Sequence, residues 1–244
     1  MAVDPIQIVP LRTAAAAPVT APKLTYRGGP LLSAAEVFTF FWGPAWQQGP
    51  QAALVGELNG FFDFVLTSAL LDQLAEYSVP GIAIGHGSWA GTKTLTDAPP
   101  GSSVTDAAVQ QLIQRQLAAD PLVPQPNANT LYFVFLPPGT AIALGSGSSC
   151  VNFCGYHSDV NASIFYAVMP YPDCSGCLGG QSDIDALTST SSHELCEAIT
   201  DPVPGQGWYD DANGEIGDIC AWQTKRLGSY AVQREWSNRA QACV

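Results

Sequence analysis

Apolar positions recur along the chain with two different periods. Glu36–Trp42 is β-branched and aromatic, which predicts the first core strand. Over residues 51–77 apolar side chains return at helical spacing, through Leu54, Leu58, Phe61, Phe62 and Val65, then Leu70, Leu71 and Leu74, and Pro80 closes the run. Residues 81–85 read as a short strand, followed by a loop through His86 and Trp89. Ser103-Val-Thr-Asp106 introduces a second amphipathic helix to about Ala119, with Val109, Leu112, Ile113 and Leu117 on one face. Residues 131–136 predict a buried strand stopped by Pro137 and Pro138, and residues 163–169 another ended by Pro170. Helical character returns over residues 183–199, and Tyr230–Gln233 predicts a late strand. Residues 1–24, rich in Ala, Pro and Thr without a period, read as an extended N-terminal tail. Strands alternate with helices and no linker interrupts residues 25–244, so the expectation is a single α/β (α+β) domain with a mixed, twisted sheet.

Composition supports a packed domain. Of 244 residues, 47% are hydrophobic and only 12% charged, which excludes a disordered chain. The net charge of −12 repels phosphate backbones and anionic lipid surfaces, so neither nucleic acid nor membrane is expected as a partner. No run approaches the roughly 20 apolar residues that span a bilayer. The first residues show no basic segment followed by an apolar one, which leaves a cytoplasmic protein or a mature exported form. The seven cysteines bear on that choice. Cys150, Cys154, Cys174 and Cys177 have spacings that suit either a thiolate zinc knot or disulfides; Cys220 and Cys243 stand near the end, and Cys196 is left over. Gly, Ser and Pro surround them without the basic residues common near zinc knots, so disulfides and export are the expectation.

The candidate chemistry centres on His193-Glu194-Leu195-Cys196-Glu197. Residues four apart share a helix face, so His193 and Glu197 point the same way with Glu194 beside them. In His-Glu-x-x-His peptidases two imidazoles bind zinc and the Glu is the general base. Here Glu197 replaces the second imidazole, and a carboxylate coordinates zinc at a similar distance. Glu215-Ile-Gly-Asp218 follows 22 residues after His193 and resembles the second zinc-binding segment of the gluzincins. That resemblance implies Glu215 as third ligand and Asp218 as the group orienting the His193 ring, with Asp218 the alternative ligand. Helices are rich in Glu, and His-Glu-x-x-Glu alone is a weak signal. The uncharged run Thr188-Ser-Thr-Ser-Ser192, the stop at Thr200-Asp201-Pro202 and the aromatic and acidic Gly207-Trp-Tyr-Asp-Asp211 strengthen it.

Several short motifs occur in the order found in one family. Tyr26-Arg-Gly-Gly-Pro-Leu-Leu32, Cys154-Gly-Tyr-His157, Ser192-His-Glu-Leu-Cys-Glu-Ala198, Trp208-Tyr209 and Glu215-Ile-Gly-Asp-Ile-Cys220 resemble the EXORDIUM or phosphate-induced protein family. Its members are secreted, cell-wall-associated plant proteins with microbial relatives, and this chain resembles a compact microbial version without their Gly-rich insertion. The resemblance implies export and cysteine bonding.

His157, in Cys154-Gly-Tyr-His157, is expected just before a strand, where a zincin places the sheet edge that binds substrate. It is a candidate to stabilise an oxyanion, or to replace Glu215 on the metal. His86 reads as a loop residue, and Asp210 and Asp211 as a solvated turn. Together these features predict a zincin-like domain binding one zinc ion through His193, Glu197 and Glu215. Glu194 is the expected general base and His157 the second catalytic group, acting on a peptide or protein substrate. The competing expectation is a non-catalytic, secreted wall or signalling protein with a structural ion or none.

Overall fold

In the computed structural model residues 8–12 and 21–244 are described. A six-stranded mixed sheet forms the centre. Its strands are β1 (Ile8–Pro10), β2 (Glu36–Trp42), β3 (Ser88–Leu95), β4 (Thr130–Phe135), β5 (Phe153–Val160) and β6 (Ile164–Met169), in the spatial order β1-β5-β6-β4-β2-β3. β3, β2, β4 and β6 run parallel, while β5 lies antiparallel to β6 and to β1. The expected α/β architecture with a mixed sheet is therefore present.

Alternation along the strands sorts side chains onto two cores. Val37, Phe41, Leu131, Phe133, Phe135, Phe165 and Ala167 face helices α1 (Gly49–Val65), α2 (Ala69–Leu74) and, further along the chain, α4 (Asp183–Thr200). Phe38, Phe40, Tyr132, Val134, Tyr166 and Val168 face α3 (Asp106–Ala119), with Val109, Leu112 and Ile113 against them. Because the period is two, neighbouring residues of one strand serve opposite layers. Phe62 of α1 meets Phe133 with ring centroids 4.5 Å apart, and Phe41 stacks on Phe135 at 4.9 Å. Each such ring contributes about 1.5–3 kcal/mol by leaving water.

The helical run over residues 51–77 is real but broken. Ser68 caps α2 by accepting from the Leu70 N–H, so the chain turns before Leu70 and Leu71 enter the core. Residues 81–85, expected as a strand, form a turn and loop whose one bridge is Val79–Ile82, with the Gly85 N–H donating to the Ser33 carbonyl. The expected loop beyond His86 is instead β3 from Ser88 onward. Half of that edge strand is polar, and backbone pairing to β2 holds it without an apolar run to announce it. His86 is exposed and bonds Asp72 at 2.9 Å. Within the segment read as a tail, Ile8–Pro10 pairs with β5, placing Val9 opposite Gly155; residues 1–7 and 13–20 lie outside the described residues.

Three disulfides join Cys150 to Cys174, Cys154 to Cys177 and Cys220 to Cys243. These replace the alternative of a thiolate zinc knot, and Cys196 remains a buried free thiol. Among the described residues no single helix is long and apolar enough to cross a membrane.

All seven cysteines lie among the described residues, so the thiol count is a direct check. Thiol titration without reductant should find no reactive group in the native protein and one per chain after denaturation. Replacing Cys154 and Cys177 together by Ala opens a loop closed over 23 residues. Urea unfolding should then report a loss of about 3 kcal/mol.

Candidate metal centre

Helix α4 carries the site, and its environment explains its composition. Every residue from Ala186 to Thr200 is buried, because β5, β6 and α1 cover one side and the hairpin Thr224–Leu227/Tyr230–Gln233 covers the other. A helix enclosed all round excludes exposed charge, which accounts for the uncharged run 188–192. Ser182 starts the helix by accepting from the Asp185 N–H. Along the run, Ser192 Oγ donates to the Ser189 carbonyl and accepts from the Gln233 N–H, both without reaching water. Asp201 stops the helix. Its carboxylate accepts the backbone N–H groups of Gly205, Gln206 and Gly207 at 2.6–3.0 Å, which satisfies that buried charge.

Three segments bring the predicted residues together. His193, Glu194 and Glu197 come from α4, and Glu215 and Asp218 from the following loop. His157 comes from the middle of β5, not from the approach to a strand as expected. All but Asp218 are fully buried, and the Asp218 side chain keeps 17% exposure, so solvent touches the cluster there. His193 Nε2 lies 2.9 Å from Glu197 Oε1 and 3.9 Å from Asp218 Oδ1. His157 Nδ1 lies 3.1 Å from Glu194 Oε2 and 3.5 Å from Glu197 Oε2. Its Nε2 meets the Asp201 carbonyl at 3.1 Å and Glu215 Oε1 at 3.6 Å.

Ligand-capable atoms therefore fall into two groups, each within 4.8 Å, and both include Glu197: His193–Glu197–Asp218 and His157–Glu197–Glu215. The expected set of His193, Glu197 and Glu215 is divided between them. Glu215 faces His157, and Asp218 takes the place beside His193.

Many of these atoms lack a hydrogen-bond partner. Both nitrogens of His193, both oxygens of Glu215, Glu194 Oε1 and Glu197 Oε2 are buried without one. The contact of His193 Nε2 with Glu197 Oε1 is close yet not aligned as a hydrogen bond. Leaving such groups unpaired costs roughly 1–3 kcal/mol each, and more when charged. A shared cation removes that cost, and two donors on one ion at about 2.0–2.2 Å sit roughly 3–3.5 Å apart. The donor set of imidazole and carboxylate fits a divalent transition metal such as zinc.

Electrostatics follow from the same crowding. Burial raises the Glu194 carboxyl, with the His157 hydrogen bond opposing it. It raises Asp218 to about 8, assisted by Glu197. Burial also acts to raise Glu197, but His193 and His157 overcome it and hold that carboxyl at about 2. For His157, burial favours the neutral ring, and Glu215, Glu194 and Glu197 outweigh it and push the pKa well up. Without a cation, then, the cluster holds Glu197 ionised and keeps protons on its neighbours.

Gly217 allows the loop to reach the helix. A Cβ there would stand 2.8 Å from Cγ and Nδ1 of the His193 ring and 2.9 Å from Glu197 Oε1. Gln233 then clamps the loop by donating from Nε2 to the Gly217 carbonyl, while the Cys220–Cys243 disulfide ties down its far end. Neither Gln233 nor Glu235, another buried carboxyl with both oxygens unpartnered, stands out in the sequence. Their signal is only a polar residue at the end of a β-strand pattern.

No family model, curated protein or solved structure matches this chain. The EXORDIUM likeness thus rests on its short motifs alone.

Gly217→Ala should weaken metal uptake at least tenfold in equilibrium dialysis against zinc. Gly56→Ala is the control: a Cβ on that α1 residue meets nothing within 4 Å, so uptake should be unchanged.

Proposed function

We propose that this protein is a secreted, zinc-dependent hydrolase, a metallo-endopeptidase of zincin type. The observation that carries the proposal is the buried convergence of His193, Glu197 and Asp218 beside Glu194, with ligand atoms left unpartnered. His193, Glu197 and Asp218 would hold the ion, at the point where Asp218 opens the cluster to solvent. A bound zinc there supplies Lewis acidity towards a carbonyl oxygen and towards water.

The remaining work falls to side chains of this chain. Glu194, one residue beyond His193, keeps Oε1 free of hydrogen bonds, and burial raises its proton affinity. Both properties suit a base that takes a proton from attacking water and returns it to the leaving amine. His157 holds the other oxygen, Oε2, at 3.1 Å and so orients Glu194. Enclosed by carboxylates, His157 suits that positioning role better than the oxyanion contact. Tyr209, kept protonated by burial and by Glu215 and Asp218, is the candidate hydroxyl for that contact.

A peptide substrate is supported by the sheet. β5 carries His157 and runs antiparallel to β6, one strand in from the edge strand β1. Ile8–Pro10 already pairs with it antiparallel, in the manner of an extended peptide added to a sheet. Trp222 Nε1 donates to the Pro10 carbonyl at 2.9 Å. Export is supported by the three disulfides.

Near-complete burial of the ligands favours a second reading, a structural ion in a non-catalytic secreted protein. One variant separates the two. Glu194→Gln should retain zinc and lower peptide hydrolysis by about 10²–10⁴-fold, read with a quenched-fluorescent peptide library. Wild-type protein that unfolds when zinc is chelated, and cleaves no peptide when loaded, would establish the structural reading instead.

A further inference from the structure

We infer that Glu197 bridges two divalent cations and that the centre is dinuclear, the second ion being held by His157, Glu197 and Glu215. The inference rests on the metal-centre reading above and extends it from one ion to a pair.

The two oxygens of Glu197 face different partners. Oε1 lies 2.9 Å from His193 Nε2 on the side of Asp218, whose N–H it accepts at 3.1 Å. Oε2 has no hydrogen-bond partner and lies 3.5 Å from His157 Nδ1, the nitrogen that would ligate in place of its contact with Glu194, while Nε2, the ring nitrogen nearer Glu215, keeps its hydrogen bond to the Asp201 carbonyl. Two groups of three ligands therefore meet at one carboxylate, which is the geometry of a bridge. Carboxylate-rich pairs of this kind hold their ions about 3.5–4 Å apart.

Glu215 supplies the second, independent observation. It is fully buried, both of its oxygens lack hydrogen bonds, and the nearest ionisable nitrogen is His157 Nε2 at 3.6 Å. An ion at the His193 group leaves those oxygens unserved. Asp201, the acid beside Glu215, draws on backbone N–H groups that Glu215 lacks.

Charge points the same way. Glu194, Glu197, Glu215 and Asp218 carry four negative charges when ionised, the buried Asp201 and Glu235 adjoin them, and ligating imidazoles are neutral. One divalent ion leaves at least two of these charges uncompensated in an enclosed site, which a second ion would offset. Uncompensated charge in such surroundings is costly. Exposure divides the labour: the His193 ion adjoins the partly exposed Asp218, while the His157 ion is sealed. The sealed ion fixes Glu197 and His157, and the outer one is reachable by substrate.

The test is metal stoichiometry on the full, disulfide-intact chain. Protein stripped with chelator and dialysed against zinc should contain two ions by mass spectrometry of the metal. The Mn²⁺-loaded form should show the electron paramagnetic resonance of an exchange-coupled pair. Glu215→Gln, checked for native fold by near-UV circular dichroism, should retain one ion and lose the coupling. One zinc per wild-type chain, or two without coupling, would overturn the bridge; if hydrolysis persists, the function proposed above still stands. No bound metal would overturn both.

Discussion

The burial of several carboxylates and two imidazoles beside one helix governs the rest of this structure. Water cannot solvate Glu194, Glu197 or Glu215, so each must find a proton, a hydrogen-bond donor or a cation within the protein. Asp201 shows the donor solution, with three backbone N–H groups directed at its carboxylate. Glu215 shows what is left when no donor is provided. The two acids adjoin each other beside α4, and it is this crowding that the proposed cations would relieve.

Much of the surrounding architecture serves that enclosure. The sheet supplies one wall, where the period of two sets Gly155 and His157 on the same face of β5, towards α4. A Cβ on Gly155 would meet Thr190 at 2.8 Å and Glu194 Oε1 at 3.3 Å, so a side chain there would push strand and helix apart. The C-terminal hairpin supplies the other wall, held by Gln233 to both Ser192 and the Gly217 carbonyl. Disulfides secure the margins: two staple the rim beside Val9, and the third anchors the segment after Asp218. Core packing between α1 and the sheet provides the stability against which this polar interior is maintained.

The strong periodic elements were legible in the sequence because their signals are local. Glu36–Trp42, the helix ending near Ala119 and Tyr230–Gln233 lie where their side-chain patterns place them. The half-polar β3 escaped notice because edge pairing uses backbone groups, which every sequence possesses. The turn at residues 81–85 misled because a short apolar run has no period of its own. Ser68 marks the break between α1 and α2 through a single hydroxyl, a weak signal inside a long apolar pattern.

For the site, the sequence by itself determined that His193, Glu194 and Glu197 share one helical neighbourhood, since helix geometry alone sets residues four apart on one face. It also made Glu215 and Asp218 natural companions through their short separation from that helix. Only the tertiary structure decided which acid faces which imidazole. His157 lies 36 positions before His193 and reaches it through β5 and β6, so no local spacing encodes their meeting. Glu215 and Asp218 are three residues apart, yet the turn at Gly217 directs one towards His157 and the other towards His193. Ligand-capable side chains are a property of the chain. Their grouping is a property of how strand, helix and loop are packed, because coordination depends on distances that close packing sets.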